Sequence, residues 1–256
     1  MTSTLNGQVC LVTGASSGIG AAIVDRLTVR GATVHAVARD RARLAEVAAR
    51  TGAIGHALDV TDLTGLTDLV ERIRPDVVVC NAGVNAPGSL AGAHAEDVDR
   101  IIDVDLRSVL HLVRLALPAM QERGRGHVVL ISSIAGRHPL GNGNAIYHAA
   151  KHGVRALAEQ LRLDLLGYRI RVTEIAPGRT RTELFGKVLG DADLGRERFL
   201  DGYEPLEAQD VADAVMFALT APAHVNIGHI EMTPTLQAIG GLTTLPTSQV
   251  KGTRTP

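Results

Sequence analysis

Short β-branched runs alternate with longer amphipathic stretches along this chain, and that alternation constrains the fold more than any other feature. VCLVT (9–13), TVHAVA (33–38), DVVVC (76–80), HVVLIS (127–132) and IRVTEIA (170–176) read as buried strands. A weak strand runs over 54–58 and a short last one over 229–233. Helical patterns fall over 18–30, 40–50, 63–74, 96–123, 145–166 and 210–220, the long one bent or ended near Pro118. Such an order builds a doubly wound parallel sheet with helices on both faces and right-handed crossovers. No composition shift marks a domain break. Residues 1–240 are expected to form one domain, with an irregular, charged stretch over 178–206 set between a strand and a helix. A polar tail covers 241–256.

Composition narrows the class. The 256 residues are 45% hydrophobic, enough for a full core, and the net charge of −1 offers no basic field for nucleic acid. No apolar run is long enough to span a bilayer, and MTSTLNGQ lacks the pattern of a signal peptide. Cys10 and Cys80 each lie in an apolar run and read as reduced core thiols, which points to a cytoplasmic protein. The ten histidines show no metal spacing. His148 and His152, four apart on one helix, read as surface or packing residues.

TGASSGIG (13–20) ends the first strand and opens the first helix. Gly14 permits a tight turn, and Gly18 and Gly20 let backbone approach a phosphate. Free N–H groups at the helix start attract the anion, and Ser16 and Ser17 add hydroxyl donors. No Lys-Ser/Thr follows the last glycine, so this is not a kinase-type phosphate loop. At the end of the second strand stand Arg39 and Asp40. Arg39 can pair with a ribose 2′-phosphate, or it can be a solvated start to a basic helix. Asp40 can cap that helix. NADP(H) is thereby favoured over NAD(H).

GNGNAIYHAAKHG (141–153) sets Lys151 one helical turn after Tyr147 in a chain with only three tyrosines. Free tyrosine titrates near pH 10, and a neighbouring ammonium favours the phenolate. A drop of about three pKa units needs roughly 4 kcal/mol of differential stabilisation.

Together these motifs resemble the short-chain dehydrogenase/reductase family of single-domain type. The TGxxxGxG of residues 13–20, Asn81-Ala82-Gly83 after the fourth strand, Ser133 with Tyr147-x-x-x-Lys151, and Pro177-Gly178 followed by Thr182 all match its pattern over about residues 5–235. The resemblance implies a Rossmann fold with a mostly parallel seven-stranded sheet and a substrate loop at about 179–205. It implies hydride transfer between NADP(H) and a small alcohol or carbonyl compound. Tyr147 would be general acid/base, Lys151 would lower its pKa and bind the nicotinamide ribose, and Ser133 would place the substrate oxygen. Gly14, Ser16, Ser17, Gly18, Ile19 and Gly20 would cradle the phosphates. Asp59 and Val60 would flank the adenine, with Asn81, Ala82 and Gly83 beside its ribose. Pro177, Gly178, Thr180 and Thr182 would border the nicotinamide, Thr182 being otherwise a cap or loop hydroxyl.

The chain departs from the pattern twice. Asp105 stands where the family usually has Asn, whose main-chain carbonyl feeds a water relay beside the catalytic lysine. A carboxylate there only accepts hydrogen bonds and is expected to raise the pKa of Lys151 and alter the pH profile; the alternative is a tolerated swap with no kinetic consequence. Ser133 and Tyr147 lie 14 positions apart, one more than in many relatives. Ser132 is adjacent but points the other way on a strand. Substrate choice is assigned to Arg137, His138, Asn142 and Asn144, to Val84 and Asn85 after Gly83, and to Arg179 and Arg181, which can clamp a carboxylate or other anion, be solvated, or touch the cofactor phosphate. The segments around PGRTRTELFGKVLG resemble a bacterial subgroup of NADP-dependent carbonyl reductases. Competing readings are an NAD-dependent alcohol dehydrogenase, a non-catalytic dinucleotide sensor on the same fold, and an isomerase or lyase with bound cofactor. A tetramer or dimer through the two long helices is implied by the resemblance, with Val109, Leu112, Val113, Leu161 and Leu165 either building that interface or facing the sheet.

Overall fold

The structure is a computed structural model and describes residues 5–86, 88–139, 143–238, 244 and 246–249. Seven strands form one sheet in the order β3-β2-β1-β4-β5-β6-β7, and every pairing is parallel. They are β1 Val9–Thr13, β2 Thr33–Ala38, β3 Ile54–Ala57, β4 Val77–Cys80, β5 Arg125–Ile131, β6 Arg169–Pro177 and β7 His229–Met232. The helices are α1 Gly18–Val29, α2 Arg41–Thr51, α3 Leu63–Ile73, α4 Ala95–Ile102, α5 Ser108–Arg123, α6 Ala145–Asp164, α7 Leu184–Leu189, α8 Ala192–Phe199 and α9 Ala208–Thr220.

Side-chain alternation along the strands feeds two cores. Cys10, Val12, Val77 and Val79 pack with α1, α2 and α9 on one face, while Leu11, Val78, Cys80 and Val128 pack with α3, α5 and α6 on the other. Because both faces are covered, the strands read as continuous apolar runs. Burial pushes both thiols up to about 12, which keeps them inert. Val109, Leu112, Val113, Leu161 and Leu165 all belong to the second core, so they face the sheet.

Two expectations change. Pro118 sits inside α5 without ending it; the irregularity lies earlier, where Asp103–Arg107 forms a π-type turn between α4 and α5. The stretch expected to be irregular over 178–206 holds α7 and α8, of six and eight residues, which are too short to show a helical period; Asp191 caps α8. The tail beyond 240 lies outside the described residues except at 244 and 246–249.

The sheet order reverses between β1 and β4, so their carboxyl ends open onto a crevice. Everything that follows lies around it.

Candidate active site

A cavity of about 970 Å³ runs along the carboxyl ends of the strands, from the glycine turn after β1 to the segment after β6. At one end the chain leaves β1 through Gly14 and enters α1 at Gly18, both with positive φ, 66° and 53°. A Cβ on Gly20 would stand 2.2 Å from the Gly14 carbonyl oxygen, so only glycine lets the helix close on the turn. Ser17 is the N-cap of α1, yet its side chain makes no capping bond, and no acidic residue sits in the first turn. The helix therefore presents uncapped N–H groups to the cavity, the arrangement that attracts an anion.

Asn81 shapes this end. Its Nδ2 donates to the carbonyls of Thr13 (2.9 Å) and Gly14 (3.2 Å). Thr13 Oγ1 in turn accepts from the N–H groups of Asn81 and Ala82 at 3.0 and 3.1 Å. Asn81, expected beside the adenine ribose, has its amide nitrogen engaged with the turn. The structural role of Thr13 was not assigned from sequence; a hydroxyl at a strand end just before the glycines was its only signal. Arg39, Asp40, Asp59 and Val60 line the cavity beyond. Asp40 caps α2 by accepting from the Arg43 N–H at 3.1 Å, as its position implied. Arg39 lies half-exposed, 3.7 Å from Asp59, whose other oxygen holds Thr61.

At the other end Ser133, Tyr147 and Lys151 meet, although they come from the end of β5 and from α6. Ser133 Oγ accepts from the Ala135 N–H at 3.1 Å and also hydrogen-bonds the Tyr147 phenol. Ser132 turns away, as strand alternation requires, with its hydroxyl 3.5 Å from the Lys151 carbonyl. Lys151 Nζ lies 5.5 Å from the centre of the Tyr147 ring and 3.1 Å from Asp105 Oδ2. Asp105 is fully buried in the π-type turn, and its Oδ1 accepts from the Val84 N–H at 2.7 Å. Oδ2 has no well-aligned donor, so its contact with Lys151 is an ion pair more than a directed hydrogen bond. Gly83 lies against both groups; a Cβ there would be 3.2 Å from Asp105 Oδ2 and 3.6 Å from Lys151 Nζ.

Lys151 acts on the phenol in the expected direction, but burial outweighs it. Burial pushes Tyr147 above its usual value; Lys151 pulls it down, Asp105 pushes it up, the Ser133 hydrogen bond pulls it down, and the net direction is upward. Burial works against the Lys151 ammonium, but Asp105 and then Tyr147 more than offset it and leave it above its usual value. The Asp105 carboxyl is itself raised by burial, against the pull of Lys151 and the Val84 N–H.

The expected substrate residues divide. Asn85, Asn144 and Arg179 line the cavity, with Val84, Pro177, Gly178, Thr180 and Thr182. Arg137 and His138 do not: Arg137 pairs with the fully buried Glu174 at 2.8 Å and His138 with Glu231 at 3.0 Å, on the β6–β7 side. Arg181 also points elsewhere, 2.9 Å from Glu207. Two acidic partners on strands that read as apolar hid this from the sequence. Asn142 lies outside the described residues. Thr182 Oγ1 accepts from the Leu184 N–H at 3.4 Å, beside Gly18. Gln237, buried and far away in sequence, accepts from the Arg179 N–H at 2.8 Å and was not foreseen. Among the described residues no three His, Cys, Asp or Glu side chains form a metal-binding group.

This fold, with a glycine turn at one end of its crevice and a Ser-Tyr-Lys cluster at the other, defines a class, and the sequence comparison agrees: the profile of the short chain dehydrogenase family matches residues 8–192. The chain belongs to that family of oxidoreductases acting on hydroxyl and carbonyl groups. It is 38% identical over 235 residues to a short-chain type dehydrogenase/reductase of Sinorhizobium fredii, covering 91% of this chain and 94% of that one. It is 35% identical over 244 residues to the NADP-dependent 3-hydroxy acid dehydrogenase YdfG of Escherichia coli, covering 92% and 98%. Among solved structures it resembles the closed form of serine dehydrogenase complexed with NADP+, with a TM-score of 0.87 and 34% identity over 93% of this chain and 99% of that one.

Proposed function

We propose that the protein is an NADP(H)-dependent oxidoreductase that moves a hydride between the cofactor and a small alcohol or carbonyl compound. The observation that carries this reading is the meeting of Ser133, Tyr147 and Lys151 in the same cavity as the glycine turn and Arg39. The residues suit the cofactor. The uncapped start of α1 and the glycines at 14, 18 and 20 take the pyrophosphate, with Ser16, Ser17 and Ile19 around it. Arg39 meets the 2′-phosphate, while Asp40 holds the start of α2 in place. Asp59 and Val60 border the adenine, and Asn81, Ala82 and Gly83 support the floor beside its ribose. Lys151 and Tyr147 hold the nicotinamide ribose, and Pro177, Gly178, Thr180 and Thr182 border the ring. Bound there, the dinucleotide supplies or takes up the hydride and, when oxidised, brings a positive ring near the phenol.

The chain's own groups handle the proton. In reduction Tyr147 O–H donates to the substrate oxygen, and in oxidation its phenolate takes that proton back. Ser133 accepts from Ala135 N–H, which leaves its hydroxyl hydrogen to point at the substrate oxygen. Lys151 stabilises the phenolate, and Asp105 keeps the ammonium charged and in place. Because the phenol lies above its usual value, its working form for reduction is the resting form at neutral pH.

In this reading the protein is a cytoplasmic carbonyl reductase with two unpaired core thiols. It assembles as a homo-oligomer, with a tetramer as the expected state. The exposed Leu110 on α5 and Leu163 on α6, with Leu166 just beyond, supply apolar surface for that contact. The test is a panel of small aldehydes and ketones assayed with NADPH and with NADH. Turnover with NADPH preferred supports the reading; cofactor binding without turnover of any compound favours a dinucleotide sensor.

A further inference from the structure

Among the described residues, Arg179 is a buried cation without a carboxylate partner. It follows Gly178 at the end of β6, lines the same cavity as Ser133 and Tyr147, and is 8% exposed. Its guanidinium lies 4.5 Å from the centre of the Tyr203 ring and 6.0 Å from that of Phe199. Nη1 donates to the Phe199 carbonyl at 2.7 Å, and the Tyr203 hydroxyl takes a second contact. Its backbone N–H is fixed by Gln237. Among the described residues no Asp or Glu lies within ion-pair distance of it.

Nearby arginines are satisfied differently. Arg181 pairs with Glu207 and Arg137 with Glu174. Arg171, only partly buried, donates to the carbonyls of Ala218, Leu219 and Ala221 at the end of α9. Arg179 has one carbonyl, a phenol and two aromatic faces for five N–H donors. A buried cation is costly unless it is paired, and a guanidinium is the side chain best shaped to hold a carboxylate by two parallel hydrogen bonds. Aromatic stacking and the Phe199 carbonyl fix the plane of the fork before any ligand arrives, so little freedom is lost on binding.

We infer that Arg179 binds the carboxylate of the substrate, which makes the natural substrates small hydroxy acids or oxo acids. This rests on the oxidoreductase reading above: Ser133 and Tyr147 hold the reacting oxygen, and Arg179 holds the acid group at another wall of the same cavity. The residue is a specificity determinant, and Tyr203 and Phe199 are its positioning residues.

The test compares three- to five-carbon hydroxy acids with their methyl esters, which keep the reacting carbon and lose the charge. Wild-type kcat/KM is expected to favour the acid at least tenfold. In Arg179→Met that ratio falls toward one, mainly through KM for the acid, while KM for NADP+ stays unchanged. Arg179→Lys keeps the charge without the fork and restores part of the ratio. A wild-type enzyme that turns over esters as well as acids overturns the inference, as does an unchanged ratio in Arg179→Met or a loss confined to KM for NADP+. A binding arm needs no turnover and so separates this inference from the oxidoreductase reading. Butyrate, with NADP+ present, should raise the wild-type melting temperature where butyramide does not. That difference should vanish in folded Arg179→Met and shrink in Arg179→Lys; equal shifts from both ligands in the wild type overturn the assignment.

Discussion

Asp105 Oδ2 and Lys151 Nζ stand 3.1 Å apart in a site where Asp105 is 0% and Lys151 only 4% exposed. The π-type turn at Asp103–Arg107 brings the carboxylate to the lysine. It therefore acts on the phenol through two routes: it keeps Lys151 charged, and it opposes the phenolate directly.

The pH profile follows. Alcohol oxidation needs the phenolate, and Asp105 pushes the phenol up. Removing the carboxylate in Asp105→Asn should shift the acidic limb of kcat/KM for oxidation to lower pH. An unmoved limb would show that the Asp105 charge has no hold on Tyr147.

Arg39 lines the cavity just after β2, and the proposed function gives it the choice of cofactor. Arg39→Ala should raise KM for NADPH by about tenfold or more, the loss of one charge-assisted pair, and change KM for NADH little. Steady-state kinetics with both cofactors give the answer, and equal changes would remove Arg39 from the 2′-phosphate site.

Glu174 is fully buried on β6 and is held by Arg137 at 2.8 Å and His229 at 3.1 Å. Arg137→Ala leaves that carboxylate without its arginine and should cost about 3–5 kcal/mol of stability. Denaturant titration measures the loss. KM for the substrate in the folded fraction should stay near wild type, because Arg137 does not line the cavity. A large rise in KM with no loss of stability would return Arg137 to the substrate site.

His127 gives stability a second pH dependence. It is buried on β5 with Nε2 2.8 Å from Thr173 Oγ1, and burial, with Arg171 adding to it, lowers its pKa from 6.5 to about 3. The unfolded chain binds a proton there below about 6.5 and the native state does not until about 3. Its contribution is complete above the upper value, is lost as pH falls through that window, and runs at up to about 1.4 kcal/mol per pH unit. Unfolding free energies from pH 7 to 4 should show that slope, less steep in His127→Gln; identical slopes would contradict the assignment.

Much of this was legible in the sequence because its signals are local. Strand-helix alternation fixes a doubly wound sheet, and the glycines at 14, 18 and 20 are demanded by positive φ or close approach. Asp40 at the start of α2 and Ser133 rather than Ser132 follow from capping and strand alternation. Long-range side-chain pairing was not legible. Arg137, His138 and Arg181 looked like free cations near a substrate loop until Glu174, Glu231 and Glu207 were brought against them by the fold. For Tyr147 the pull of Lys151 and the opposing Asp105 were both visible in the sequence, but the burial that outweighs Lys151 depends on how the whole crevice closes and was not.

The central claim is that the Tyr147 hydroxyl moves the proton. Purified Tyr147→Phe should bind NADPH with near wild-type affinity by fluorescence titration, yet reduce the best carbonyl substrate 10²–10⁴-fold more slowly, about the contribution of a general acid. Wild-type turnover in a folded, NADPH-binding Tyr147→Phe enzyme would contradict the account.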